Sequence, residues 1–495
     1  MNVDVVTLQF VLGCFSVFGM WNVAKESLSA DKSKNCQFWK QSDKERRFDG
    51  IYPGLGMYAQ YYVYGKKFMI DQEGEYAFEE GKLYIKWSKS SLPNTLEFSI
   101  YDVAMKVSGT KYVKIHNIHF THYEQYGIYE SAGWSNRDYD SSNNIIISKC
   151  SFEYDMTGIS VSHGTTNAAS MAYNWSIDRC NFTNTDGSAI NLYSNANVNF
   201  PNVGVVNFWI INNNFYNLGF NSESNVGISF GYVKNVYFLN NTVRYVSHNG
   251  VQFSYSPSKN GEISTGNILV CGNLFDGICS GNSDCGCLKF WSVSESHVWK
   301  NVLVTENVCQ NTFGWTKTSY NCKKWGDRGF GGFGYFRDYV SGAVFYRNIA
   351  YNMGDMGFTV FKEWEDQGQT VIMNNLVVGS IRTVSLGGAS KTQTSKVTIK
   401  NNVFVDSGVF GQVFSRDKSE TPFEKFDVNN NLYYHYGWAG GKYTAGMCVF
   451  QDSKNNWRLA HTFEELHSFA PSWETTEYSF DPKYGDYEST YKVCV

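Results

Sequence analysis

Apolar and polar positions along this chain fall into an eight-residue phrase that returns eleven times. It reads apolar, any, apolar, any, Asn or another polar residue, two further residues, then an aromatic or aliphatic one. First positions run from Val113 through Val344 and Val371 to Phe426. Third positions are Ile115, Ile147, Ile177, Ile210, Phe238, Val270, Val304, Tyr346, Met373, Ile399 and Val428. Eighth positions run from Phe120 through Phe152, Cys309, Tyr351 and Val378 to Tyr433. The spacing of 26 to 42 residues between phrases marks a repeat architecture. Period-2 alternation within each phrase makes the unit a strand, not a helical pair. Propeller blades would require hairpin signals, and these are missing. The pattern predicts a solenoid of short parallel strands.

The fifth position holds Asn117, Asn212, Asn240, Asn348, Asn375, Asn401 and Asn430, often with a second Asn after it. Asn tolerates left-handed backbone, and its amide can satisfy the polar groups of a turn. Stacked in successive coils, such residues predict a hydrogen-bonded ladder. A second strand follows each first one, as in Gly158-Ile159-Ser160-Val161, Gly227-Ile228-Ser229-Phe230 and Gly357-Phe358-Thr359-Val360. Its small residue is placed where the chain turns a corner. About eleven coils at about 4.8 Å each make a rod of about 50 Å.

Over about residues 100 to 435 these features resemble the right-handed parallel β-helix, or pectin-lyase-like, superfamily. Gly74-Glu75-Tyr76 and Gly81-Lys82-Leu83-Tyr84-Ile85 are similar to a segment of its glycosidase-like members, where it forms a small β-rich insertion after the first coils. Thr462-Phe463-Glu464-Glu465 and Asp481-Pro482 resemble the stretch that closes such solenoids. The expected organisation is all-β: a β-rich segment over 1–100, the parallel β-helix over 101–440 and a closing segment over 441–495. The uncharged run from Val5 to Ala24 invites a signal-peptide or anchor reading, against which stand Asp4, Thr7, Gln9 and Asn22. The resemblance implies instead that the chain starts inside the fold, and that the protein is extracellular or displayed at the cell surface.

Composition narrows the function classes. A net charge of −4 with a pI near 6.2 argues against nucleic acid and acidic membrane surfaces as partners. Aromatic residues make up 17%, enough to fill the coils and still line a sugar-binding face. Twelve cysteines leave the redox compartment open. Cys150 and Cys180 share a column and either stack as thiols or pair. No C-x-x-C occurs in the cluster from Cys271 to Cys322, so no metal site is expected. Sequons start at Asn174, Asn181 and Asn240, the last assigned to the inner ladder.

On a repetitive backbone, chemistry belongs to the departures, and the largest lies between Cys279 and Asp366, with a long excursion over 311–331. Ser283-Asp284-Cys285-Gly286-Cys287-Leu288-Lys289-Phe290 and Tyr335-Phe336-Arg337-Asp338-Tyr339-Val340-Ser341-Gly342 resemble the two segments that hold the proposed catalytic acids of glycosidase-like relatives. The resemblance implies Asp284 and Asp338. A third segment, Phe361-Lys362-Glu363-Trp364-Glu365-Asp366, follows one coil later. A regular register separates Asp284 from Asp338 by over 20 Å, beyond the roughly 5 to 9.5 Å that paired carboxylates need. Glu363 is expected about 5 to 7 Å from Asp338, one coil on. Asp338 is therefore the first choice, with Glu363 and Asp284 competing as its partner. Lys289, Arg337 and Lys362 are candidates to orient a hydroxyl or uronate, and Trp291, Tyr335 and Trp364 to stack on sugar rings.

The function expected is a glycoside hydrolase acting on a polysaccharide or oligosaccharide without a cofactor. One carboxyl protonates the leaving oxygen, while the other attacks the anomeric carbon or activates water. A polysaccharide lyase, with a Lys or Arg base and Ca²⁺ held by Asp338, Glu363 and Asp366, is the second reading. A non-catalytic carbohydrate-binding or surface solenoid is the third.

Overall fold

The structure is a computed structural model. It describes residues 5–9, 76–79, 82–86, 99, 101–132, 141–164, 171–194, 204–219, 225–255, 266–280, 285–292, 300–313, 332–338, 342–361, 369–387, 397–405, 409–414, 426–434, 446–451, 457–460 and 463–473. The chain forms two compact units, Met1–Glu97 and Phe98–Val495. In the first, Tyr76–Glu79 and Lys82–Lys86 make an antiparallel hairpin, and Val5–Gln9 adds to its Lys82–Lys86 edge.

The second unit is an all-β parallel solenoid. Its strands fall into one sheet of thirteen and two sheets of eleven. Each coil visits the thirteen-stranded sheet first. It then enters the first eleven-stranded sheet, which spans Lys111–His116 to Phe426–Asn429, turns, and enters the second, from His119–Thr121 to Leu432–Tyr434. Apolar residues stack inward in register. Phe120, Phe152, Phe182 and Phe215 have successive ring separations of 4.9, 4.6 and 4.8 Å. Those spacings match the rise of one coil, so one aromatic per coil builds a continuous stack that adds ring–ring attraction to apolar burial.

Most third positions face inward as expected, with Ile147, Ile177, Ile210, Phe238, Val270 and Val304 fully buried. Two coils correct the reading by one residue. Val304 pairs with Phe345, Phe345 with Ile372 and Ile372 with Ile399, so the core column uses Phe345 and Ile372. Tyr346 and Met373 turn outward, as does Tyr351, whose inward place is taken by Ala350. The cause lies in the turn. Its left-handed residue is Arg347 in one coil and Asn374 in the other, so Asn348 and Asn375 stand at the sixth position, not the fifth. A one-residue slip reverses every side chain of a strand.

The ladder therefore runs through the sixth column: Asn213, Asn241, Asn273, Asn307, Asn348, Asn375, Asn402 and Asn431, each at most 2% exposed. At every step the backbone N–H of one Asn donates to the Oδ1 of the next at 2.8–3.1 Å. Each Nδ2 also donates to a core-strand carbonyl of the preceding coil, such as Val304 O for Asn348 and Phe345 O for Asn375. Asn240 is corrected too: it is exposed, with φ 52°, and its neighbour Asn241 is the ladder member. Cys180 caps the ladder, donating its N–H to Asn213 Oδ1 at 2.8 Å. Cys150 follows it, and both are unpaired buried thiols. A second ladder links Asn144, Asn174, Asn207, Asn235, Asn267 and Asn301, all with positive φ, on the first eleven-stranded sheet.

Small residues at the corners have a steric cause. A Cβ on Gly158 would lie 2.8 Å from Phe182 Cδ1 and 2.9 Å from Ala189 O. At the far end Trp457–Ala460 pairs antiparallel with Gly446–Gln451, and the helix Phe463–Phe469 follows. Leu466, Ala470 and Trp473 join the core beside Phe426. Asp481-Pro482 lies outside the described residues.

Candidate functional site

The thirteen-stranded sheet carries every described candidate. One of its columns runs through Ile128, Ile159, Ile190, Ile228, Val251, Leu288, Tyr335 and Phe358. These face the core, and the alternation settles the neighbours. Tyr335 is 1% exposed, stacks on Phe358 at 4.9 Å, and donates its hydroxyl to Asn307 O (3.0 Å) and Ile349 O (3.1 Å). Arg337, two residues on, is fully buried and donates to Thr370 Oγ1. Both were expected to meet a glycan. Their inward positions correct that expectation, because neither side chain reaches the outer surface.

Lys289 belongs to the intervening, outward column, between Gln252 and Phe336. It is only 6% exposed, with its ammonium 4.2 Å from the centre of the Phe336 ring. Phe333, Phe336 and Met356 form a small apolar cluster separate from the main core. Cation–π attraction in such a covered place is worth about 2 kcal/mol. Lys289 is thus held by the fold on the outer side of the sheet.

Asp338 is the last residue of the strand Gly332–Asp338. Its register partners are Trp291 on one side and Phe361 on the other. Trp291 is half-buried, in the same column as Ser131, Ser162, Tyr193 and Ser254. Asp284 immediately precedes the strand Cys285–Ser292, seven residues before Trp291. Cys285, where that strand begins, is six residues from Trp291, about 20 Å at about 3.3 Å per residue. Asp284, Lys362, Glu363, Trp364 and residues 314–331 of the long excursion lie outside the described residues. The strand register therefore brings together Lys289, Trp291 and Asp338, and leads to within two residues of Glu363.

Other buried groups were not anticipated. Glu130 occupies the inward column of Val161 and Arg337, fully buried. Its Oε1 accepts from Ser142 N at 3.3 Å, and its Oε2 has no hydrogen-bond partner among the described residues. Burial pushes its carboxyl up to about 7 against the Ser142 N–H. Asp155, likewise fully buried, is pushed up to about 7 by burial, partly offset by the Tyr123 N–H. Asp355 is buried in an ion pair with Arg382. The signal was present in sequence: Glu130 interrupts an apolar alternation, Ile128-Tyr129-Glu130, whose register partners are Ile and Val.

Cysteine geometry adds covalent ties beside the site. Cys279 is bonded to Cys285, and Cys287 to Cys309, with Cα separations of 5.7 and 6.1 Å. Cys287 takes the corner position filled elsewhere by Gly250 or Gly334, so the disulfide joins the start of the Lys289 strand to the core. Among the described residues no group of three or more His, Cys, Asp or Glu could hold a metal ion, and no helix is long and apolar enough to cross a membrane. No family model, no curated protein and no solved structure matches this chain.

Proposed function

We propose that this chain is a right-handed, pectin-lyase-like β-helix protein and a glycoside hydrolase acting on a polysaccharide by carboxylate acid–base catalysis. The observation that carries the reading is the register Trp291–Asp338–Phe361, with Glu363 two residues past Phe361. Adjacent strands lie about 4.8 Å apart, which suits two carboxylates sharing one glycosidic bond better than the about 20 Å from Asp338's partner Trp291 back to Cys285, the residue after Asp284. Asp338 and Glu363 then divide the roles of acid and of base or nucleophile. Trp291 offers an aromatic edge to the sugar, and Lys289 sets a positive field beneath it. Asp284, Lys362 and Trp364 belong to the flanks of the same site, with no cofactor required. Lys289 packs on Phe336 and is nearly buried, which favours this role over that of a lyase base. Two disulfides agree with an extracellular or cell-surface location.

The test is a reducing-end assay over a panel of plant, algal and microbial polysaccharides. Asp338→Asn should abolish release of new reducing ends while leaving the circular dichroism spectrum intact. Wild-type turnover in that variant removes Asp338 from the mechanism. A 4,5-unsaturated product absorbing in the ultraviolet identifies a lyase instead, and absence of turnover on the whole panel favours a binding solenoid.

A further inference from the structure

The three sequons differ in what the fold does with their asparagines. Asn174 is half-buried in the second ladder. Its Nδ2 donates to Asn144 Oδ1 at 3.1 Å, and its Oδ1 accepts from Asn207 Nδ2 at 3.0 Å. The amide is thus held along the rod axis, between its neighbours in two coils. A sugar on that nitrogen would have to enter a gap set by a coil rise of about 4.8 Å, so ladder and sugar exclude one another.

Asn181 begins the strand Asn181–Thr185, where the inward Phe182 turns Asn181 and Thr183 to the outer face. It is exposed, with half-buried Ser151 and exposed Asn214 beside it in the adjacent coils. Asn240 is exposed at the turn after the strand Val233–Leu239. Its Oδ1 lies over Gly272, the equivalent residue of the next coil, whose missing side chain leaves room beside the amide. Each of these two asparagines has a threonine two residues on, Thr183 and Thr242, on the outer side of the same sheet. Neither side chain belongs to a ladder.

We propose that Asn181 and Asn240 are attachment sites for N-linked oligosaccharides and that Asn174 is not. The assignment rests on the extracellular reading, because the donor, a polyprenyl-diphosphate-linked oligosaccharide, is met in the secretory pathway. In the transfer, the bond from the sugar's anomeric carbon to the diphosphate breaks, and the diphosphate leaves with the electron pair. That carbon bonds to the asparagine Nδ2, and the amide gives one proton to a base of the transferase. The two sites lie two coils apart, about 10 Å along the rod. Both stand beside the eleven-stranded sheets, away from the thirteen-stranded sheet that carries Asp338.

The full chain is expressed in cultured animal cells behind a cleavable secretory leader, then collected from the medium or from the secretory compartments. Peptide N-glycosidase in heavy-oxygen water turns each glycosylated Asn into a labelled Asp, which peptide mass spectrometry locates. Label is expected at 181 and 240 and not at 174. Asn181→Gln and Asn240→Gln should each lower the intact mass by one oligosaccharide with unchanged circular dichroism, and Asn174→Gln should leave the glycan mass as it was. Should a variant fail to fold, the site map of the wild type decides alone. A collected chain unlabelled at 181 or 240, or labelled at 174, overturns the proposal. The added leader separates this result from location: a native chain found in the cytosol of its source cells, with the leader-bearing chain labelled at both sites, overturns the extracellular reading and not the sites.

Discussion

Replacing Asn375 by Ala tests how far the ladder stabilises the rod. Asn375 is 2% exposed. Its Oδ1 accepts from Asn348 N at 2.8 Å and Asn348 Nδ2 at 3.1 Å, and its Nδ2 donates to Phe345 O and Asn402 Oδ1, both at 3.0 Å. After truncation Asn348 Nδ2 keeps Val304 O, and Asn402 Oδ1 keeps the Asn375 backbone N–H. One group loses its partner, the Asn348 N–H, while Phe345 C=O stays in the parallel ladder with the Val371–Met373 strand. At about 1 to 3 kcal/mol for a buried unsatisfied group, the cost is roughly 1 to 3 kcal/mol. A water entering the vacated space brings the cost toward the lower figure. The assay is urea unfolding followed by circular dichroism, with Asn214→Ala as the control, because Asn214 is exposed on an outward position. The control should stay within about 0.5 kcal/mol of wild type. Amide exchange should also accelerate at Asn348 and little elsewhere. An Asn375→Ala midpoint no lower than that of the control would refute the idea that the ladder bonds are buried and unshared with solvent.

Two other perturbations follow from the interior. Glu130 is raised from an ordinary 4.5 to about 7 by burial, so its neutral form is favoured in the fold. Its contribution to stability is full below pH 4.5 and is lost as pH rises through 7, a difference of about 3 kcal/mol. Glu130→Gln keeps an acceptor for Ser142 N–H and removes the titration, so its melting temperature should exceed that of wild type at pH 8 and match it at pH 4; equal differences at both pH values would contradict this. Gly334→Ala would set a Cβ 2.5 Å from Gly357 O. It should cost about 1 to 3 kcal/mol by forcing two coils apart, whereas an unchanged denaturation midpoint would mean the corner has room to relax.

Much of the solenoid was legible because its causes are local and repeated. Alternation at Val113-Lys114-Ile115 or Trp175-Ser176-Ile177 names the inward side directly, and Gly158 or Gly227 announces a corner. Misreading arose where one column substituted for another. Arg347 adopts the left-handed turn conformation used by Asn elsewhere, so aligning Asn348 with Asn240 shifted the strand by one residue. The same holds for Tyr335 and Arg337, which a motif likeness set on the surface. Their register with Leu288 and Phe290, both buried, sets them in the core. Inner positions of a coil are chosen for volume and for partners along the axis, and neither quantity is visible in a linear motif. The site itself was half legible. Lys289, Trp291 and Asp338 lie on strands and inherit the repeat, while Asp284, Lys362, Glu363 and Trp364 fall outside both the eight-residue phrase and the described residues.

The direction of the asparagine ladder has a consequence for how such a chain changes length over evolutionary time. Each ladder Asn gives and receives the same bonds as the next, and Asn348 and Asn375 stand only 27 residues apart. A duplicated block of that size, inserted between two existing coils, would find a donor waiting below it and an acceptor above. It would bring its own core residues and disturb no interface other than the one it splits. Length at the middle of the rod is thus open to tandem duplication. The terminus is not, because Trp457–Ala460 reverses direction and Trp473 covers Phe426, so a block added after them would meet no ladder to continue. The irregular spacing between phrases fits a history in which coils were copied internally and each connecting loop then diverged on its own.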